Sequence, residues 1–297
     1  MKKILLFSLL LLLGVACSEE IDVRSRSEYQ DFLAVQAVLN DRADEPQKVV
    51  LSRTISYFHE EKQPMVKGAS VQVNNTIFKE MEDGVYVAPM GFCCQPLENY
   101  HLQIRLPDGE EYEADAQMPE RGFEIEAIDY AWGGGKTMDS DSVWTIGLWG
   151  IEKELESNYI VTHAVNGLYE PFEKSLLIQD VYFNDHNVVA FPVEVFFQIA
   201  DNWKQYGDCY KYLEQGDVIT LEIWSIDKGF FDFLFSVYEG GQASIPLFST
   251  QPANYPTNIR GERVLGYFAA CAVARASVVV DDPFRTYYKR AVMALQE

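Results

Sequence analysis

The chain has 297 residues, of which 48% are hydrophobic and 13% aromatic, ample for a packed core and a composition that excludes intrinsic disorder. Its 45 acidic against 24 basic residues give a formal net charge of −21. That balance excludes a nucleic-acid partner, whose binding rests on neutralising phosphates, and electrostatic adhesion to anionic lipid.

The first segment is the most informative. Lys2 and Lys3 precede an apolar run, Ile4 to Leu13, followed by Gly14-Val15-Ala16-Cys17 and then Ser18-Glu19-Glu20. A basic start, a hydrophobic middle and small residues before a cleavage point have the order of a secretory signal peptide. The run is too short for a transmembrane helix, which needs roughly 20 apolar residues. A cysteine at the cleavage point reads as a lipobox, although Gly14 stands where leucine is usual. Cys17 would then be the mature N-terminus, acylated and held in outer-membrane lipid. The alternative is an ordinary secretory signal with an incidental cysteine. Ser18, Glu19 and Glu20 resemble the export signal that carries Bacteroidetes lipoproteins to the cell surface; the alternative is the start of an acidic linker. Residues 1–16 are therefore expected to be a signal peptide and 17–30 a lipidated tether.

From Leu33 the pattern has period two, the signature of a half-buried strand. Leu33, Val35, Ala37 and Leu39 share one face, and strands are expected again over 48–58, 68–73 and 77–78. Leu102, Ile104 and Leu106 alternate with polar residues, Pro107-Asp108-Gly109 supplies a turn, and Tyr112, Ala114 and Ala116 return. This pattern predicts an N-terminal β-sandwich over 31–119. A second β-rich domain is expected over 120–297, with strands at 123–128, 143–149, 159–165, 176–183, 188–197 and 218–226. Phe230, Phe231, Leu234, Val237 and Tyr238 have helical spacing, with Gly240-Gly241 as the stop. Residues 266–280 read as a buried strand and 286–296 as a short terminal helix. The fold class is mainly β.

Motifs carrying chemistry are weak. Gly133-Gly134-Gly135-Lys136-Thr137 has the tail of a phosphate loop, but Tyr130 stands at its first glycine, so a hairpin loop is the better reading. His59-Glu60-Glu61 fails the zinc pattern at Gln63, and Asp139-Ser140-Asp141 begins a calcium loop that Val143 and Gly150 do not complete. Cys93, Cys94, Cys209 and Cys271 have no metal spacing; a Cys209–Cys271 bridge is one option and buried thiols the other. Trp132, Trp203 and Tyr255 lie beside Gly, Asn or Pro, which places them on loops, either as ligand-contact aromatics or as anchors packed on the core. No catalytic residue, metal site or cofactor is assigned.

Several segments together resemble the DUF4249 family of Bacteroidetes lipoproteins. They are Val49-Val50-Leu51-Ser52-Arg53-Thr54, Pro64-Met65-Val66-Lys67-Gly68-Ala69-Ser70-Val71, Gly84-Val85-Tyr86, Tyr100-His101-Leu102-Gln103-Ile104, Asp108-Gly109-Glu110-Glu111-Tyr112 and Met118-Pro119. Ser225-Ile226-Asp227-Lys228, Asn258-Ile259-Arg260-Gly261 and Gly266-Tyr267-Phe268 continue the likeness. The family's glycine-rich turn before the last segment is replaced here by Glu262-Arg263-Val264-Leu265. The resemblance implies a transthyretin- or immunoglobulin-like N-terminal sandwich. It also implies a surface or periplasmic lipoprotein that accompanies a TonB-dependent transporter of the outer membrane. The expected role is non-enzymatic binding or accessory; a surface hydrolase of glycan or peptide, or an adhesive protein, are the alternatives.

Overall fold

A computed structural model describes residues 31–54, 63–135, 143–153, 158–169, 175–179, 187–195, 213–242 and 255–289. The fold is mainly β, with one helix among the described residues. The first half supplies β1 (Leu33–Asn40), β2 (Lys48–Arg53), β3 (Ser70–Val73), β4 (Thr76–Glu82), β5 (Val85–Val87), β6 (Asn99–Arg105) and β7 (Glu111–Gln117). The second supplies β8 (Phe123–Gly135), β9 (Val143–Glu152), β10 (Asn158–Val165), β11 (Leu168–Tyr169), β12 (Leu176–Gln179), β13 (Asn187–Val195) and β14 (Val218–Ile226). Helix α1 (Lys228–Gln242), β15 (Ile259–Arg260) and β16 (Val264–Val279) follow. No helix among the described residues is long and apolar enough to cross a membrane.

Period-two burial is carried through as the pattern predicts. In β1, Leu33, Val35, Ala37 and Leu39 are buried. In the β6–β7 hairpin the apolar residues Leu102, Ile104, Tyr112 and Ala114 face the core while Gln103, Glu111 and Glu113 face water. Strand β4 pairs with β3 through its first residues and with β5 through its last. It thereby turns the ladder β1-β2-β5 over onto β3-β6-β7 and closes the first core between them.

The strands of 31–117 do not complete that sandwich alone. β15 adds to the edge of β7, and the first half of β16 pairs in parallel with β1, from Leu33↔Val264 to Asn40↔Cys271. The second half of β16 then pairs antiparallel with β14, from Ser225↔Ala272 to Val218↔Val279. The partner changes between Cys271 and Ala272 with no residue skipped. Because alternate residues share a face, Phe268, Ala270 and Ala272 pack in the first core, and Ala274, Ala276 and Val278 continue the same row into the second. Tyr267, Ala269 and Cys271 form the opposite row, on which Phe230 and Phe231 of α1 pack. Asp227 caps that helix by accepting the Phe230 amide at 3.0 Å. Gly240 and Gly241 do not stop it: α1 continues through both to Gln242.

The turn between β1 and β2 clamps this joint. Asp41 accepts the Val273 amide at 3.0 Å and pairs with Arg121 at 2.6 Å. Arg42 reaches Glu222 of β14 at 2.6 Å. The Glu222 side chain is only 2% exposed. It also accepts the Tyr169 hydroxyl at 2.6 Å and the Trp224 indole at 3.0 Å, with Arg275 at 3.3 Å. Four donors on one carboxylate offset the cost of burying its charge. Burial and the adjacent Glu222 push the Tyr169 hydroxyl up to about 12, so it remains a donor.

Gly266 fixes how closely β16 lies on β1. Its φ is +110°, and a Cβ there would stand 1.9 Å from the Val35 carbonyl oxygen. Gly266→Ala is expected to lose at least ~1–3 kcal/mol from backbone strain alone, before the clash is counted. A thermal melt within error of the parent would contradict this account of the β1–β16 contact.

Candidate functional site

The small sheet β13-β9-β8 packs over β10-β14-β16 to enclose the second core. An irregularity between Ile125 and Ala127 shifts the register of β8 by one residue. Phe123 and Ile125 before it, and Ile128, Tyr130 and Trp132 after it, therefore face the same core. The outer face of this ladder is built differently. Asp129 stands opposite Gly147, and Ala131 opposite Thr145. These small side chains leave a slot walled by Trp149, and Asp129, Ala131, Thr145 and Trp149 are all at most 6% exposed.

A strap, Asp281–Lys289, accounts for much of that burial. After β16 the chain turns at Tyr130, whose hydroxyl donates to Asp281 at 2.5 Å and accepts the Asp281 and Asp282 amides at 2.9 and 3.0 Å. The Trp144 indole donates to the Pro283 carbonyl at 2.7 Å. Among the described residues β8 is the edge strand of its sheet. Its Trp132 amide donates to the Arg285 carbonyl at 2.6 Å, as an added strand would require. The Arg285 guanidinium is buried, paired with Asp129, bonded to the Tyr130 carbonyl at 2.9 Å and stacked 4.1 Å over the Tyr130 ring. Tyr288 then lies in the slot. Its hydroxyl donates to Thr145 at 2.8 Å and its ring meets Trp149 edge-on at 5.5 Å. A Cβ on Gly147 would stand 2.9 Å from the Tyr288 ring. A glycine inside a strand often marks such a close approach.

Electrostatics hold the strap's ends. Lys289 pairs with Asp281, and Arg285 reaches the same carboxylate at 2.9 Å. The Lys289 hydrogen bond, and then the Tyr130 hydroxyl, hold the Asp281 carboxyl well below the usual range. Burial raises the Tyr130 and Tyr288 hydroxyls, which keeps both protonated.

Trp132, expected on a loop, is instead a half-buried residue of β8, between Trp144 at 4.2 Å and Phe284 at 6.0 Å. The glycines after it finish the strand, with Gly135 paired to Val143, while Lys136-Thr137, the rest of the expected hairpin loop, lie outside the described residues. Tyr255 is half-buried in irregular chain leading to β15, on the first sandwich rather than beside the strap. Residues 281–288 form the irregular strap, and helical backbone begins only at Lys289. Cys17, Ser18, Glu19, Glu20, Trp203, Cys209, His59 and Asp139-Ser140-Asp141 lie outside the described residues. Cys93, Cys94 and Cys271 are free thiols; burial pushes Cys94 up to about 12 and raises the wholly buried Cys271. His101 sits on the polar face of β6, bonded to Asp115 at 2.7 Å. Among the described residues no three His, Cys, Asp or Glu side chains are grouped to hold a metal ion. Asp129, Arg285 and Tyr288 carried no motif; Gly147 within an apolar strand was the one local sign of them.

A family model described as a domain of unknown function, DUF4249, matches residues 18–277, a span that ends before the strap begins. No curated protein matches the chain.

Asp281 contributes fully to holding the strap above the ordinary aspartate pKa of about 3.9. That contribution is lost as pH falls from there through its depressed folded value. Tryptophan emission is therefore expected to report loosening of the strap below about pH 4, and Asp281→Asn to remove that acid step. An unaltered acid profile in the variant would contradict the assignment.

Proposed function

The chain belongs to the DUF4249 family, and from that premise we propose that it is a lipoprotein of the outer-membrane surface. It is anchored through acylated Cys17 and acts as a non-enzymatic binding or accessory component beside a TonB-dependent transporter. The observation that carries this reading is the run from Lys2 to Glu20: a basic start, a short apolar stretch, a cysteine and an acidic pair. Two or more acyl chains on one cysteine anchor a protein stably without a spanning helix. The acidic residues that follow are repelled by anionic headgroups and favour a body held off the bilayer. Residues 17–30, polar and charged and without periodicity, serve in this reading as the tether.

The buried acids favour binding over catalysis. Glu222 is saturated by donors at the joint, Asp129 is paired with Arg285, and Glu152 accepts the Tyr159 hydroxyl at 2.8 Å. A general acid or base must exchange a proton with a substrate within hydrogen-bond reach, and these carboxylates are committed to the protein itself.

Cys17→Ala is expected to release the protein from membranes into the soluble envelope fraction; membrane retention of the variant would refute the anchor. Extraction of the tagged parent in mild detergent is expected to bring a TonB-dependent transporter with it in stoichiometric amount. Recovery of the chain alone would refute the accessory role while leaving the anchor standing.

A further inference from the structure

We propose that the edge and outer face of the β8–β9 ladder form a peptide-binding site that the chain's own strap fills in cis. Its ligand in trans is a short segment, bent as the strap is, carrying an arginine and, three residues later, a tyrosine. This inference needs neither the lipid anchor nor a transporter.

The strap's seating defines the chemistry of the site. One end reads a guanidinium through three features: the Asp129 carboxylate, the Tyr130 carbonyl at 2.9 Å and the Tyr130 ring face at 4.1 Å. A planar fork that satisfies a carboxylate and a carbonyl while stacking on a ring favours arginine over lysine. The Trp132 amide of β8 fixes the ligand's backbone. The other end reads a phenol, because Gly147 leaves room for a ring, Trp149 walls it and Thr145 takes its hydroxyl at 2.8 Å. Arg285 and Tyr288 occupy these two ends.

The strap has the character of an exchangeable occupant. It makes no strand ladder with β8; it is held mainly by side chains and turn contacts. Phe284 and Tyr287, which flank its anchors, are 60% and 54% exposed. Covalent attachment gives it a high effective concentration, so a trans segment competes only when the strap is weakened or the ligand is abundant.

The test uses the full chain carrying Arg285→Ala and Tyr288→Ala, which empties both ends without altering the site. The probe is a fluorescent peptide copying residues 281–289. Anisotropy is expected to show saturable binding to this variant and binding to the parent weaker by roughly 100-fold. Adding Asp129→Asn to the variant, or replacing the peptide's arginine with alanine, is expected to abolish it. A folded double variant that binds no peptide, or that binds a scrambled peptide equally well, would overturn the proposal. Should the double variant fail to fold, a protease site placed after Asp282 in the parent chain and cut under native conditions serves instead. Exchange of the nicked strap for labelled peptide supports the proposal, and a strap that never exchanges refutes it.

Discussion

Strand β16 carries the molecule. At about 3.3 Å per residue its sixteen residues span roughly 50 Å, long enough to serve two sandwiches in turn. Its first half is a parallel partner of β1 and its second an antiparallel partner of β14, so the hydrogen-bond ladder is unbroken where the two cores meet. One row of small residues, Ala270, Ala272 and Ala274, passes between the cores, and Cys271 on the reverse row seats α1. Large side chains at these positions would hold the facing sheets apart. The small ones let two cores and a helix converge on a single strand.

Among the described residues the buried carboxylates and the buried arginine are answered by partners. At the joint, Arg42 and Arg275 meet Glu222 with Tyr169 and Trp224 completing its shell. At the strap, Arg285 meets Asp129 beneath the Tyr130 ring. Removing one member of such a group strands the other, at a cost of about 3–5 kcal/mol. The two clusters tie different things together. The first joins the halves of the chain, whereas the second joins the C-terminal segment to the sheet that it covers.

Local order was readable in the sequence because each strand's period depends only on its own residues. β1, the β6–β7 hairpin, β14 and most of α1 follow from alternation, turn residues and helical spacing. Pairing between distant segments was not readable, since periodicity identifies a buried face without naming its partner. Nothing local signals that Leu33 lies beside Val264, or that Arg42 meets a glutamate 180 residues away. Trp132 misled for a related reason: three glycines after a tryptophan look like a loop, yet the strand runs through them, past an irregularity, to Gly135 opposite Val143. α1 likewise runs past its glycines, although each costs roughly 1 kcal/mol in a helix interior. Of the strap site, only Gly147 left a local trace, because its other parts come together through the fold.

The central claim is that β16 makes the two sandwiches one cooperative unit. All five tryptophans, Trp132, Trp144, Trp149, Trp203 and Trp224, lie after β7, in the half of the fold that begins with β8. Tryptophan fluorescence therefore reports that half alone, while far-UV circular dichroism reports every strand. Denaturant unfolding followed by both signals is predicted to give coincident transitions. Two separated transitions, with the circular dichroism showing a phase that the tryptophans do not, would contradict it.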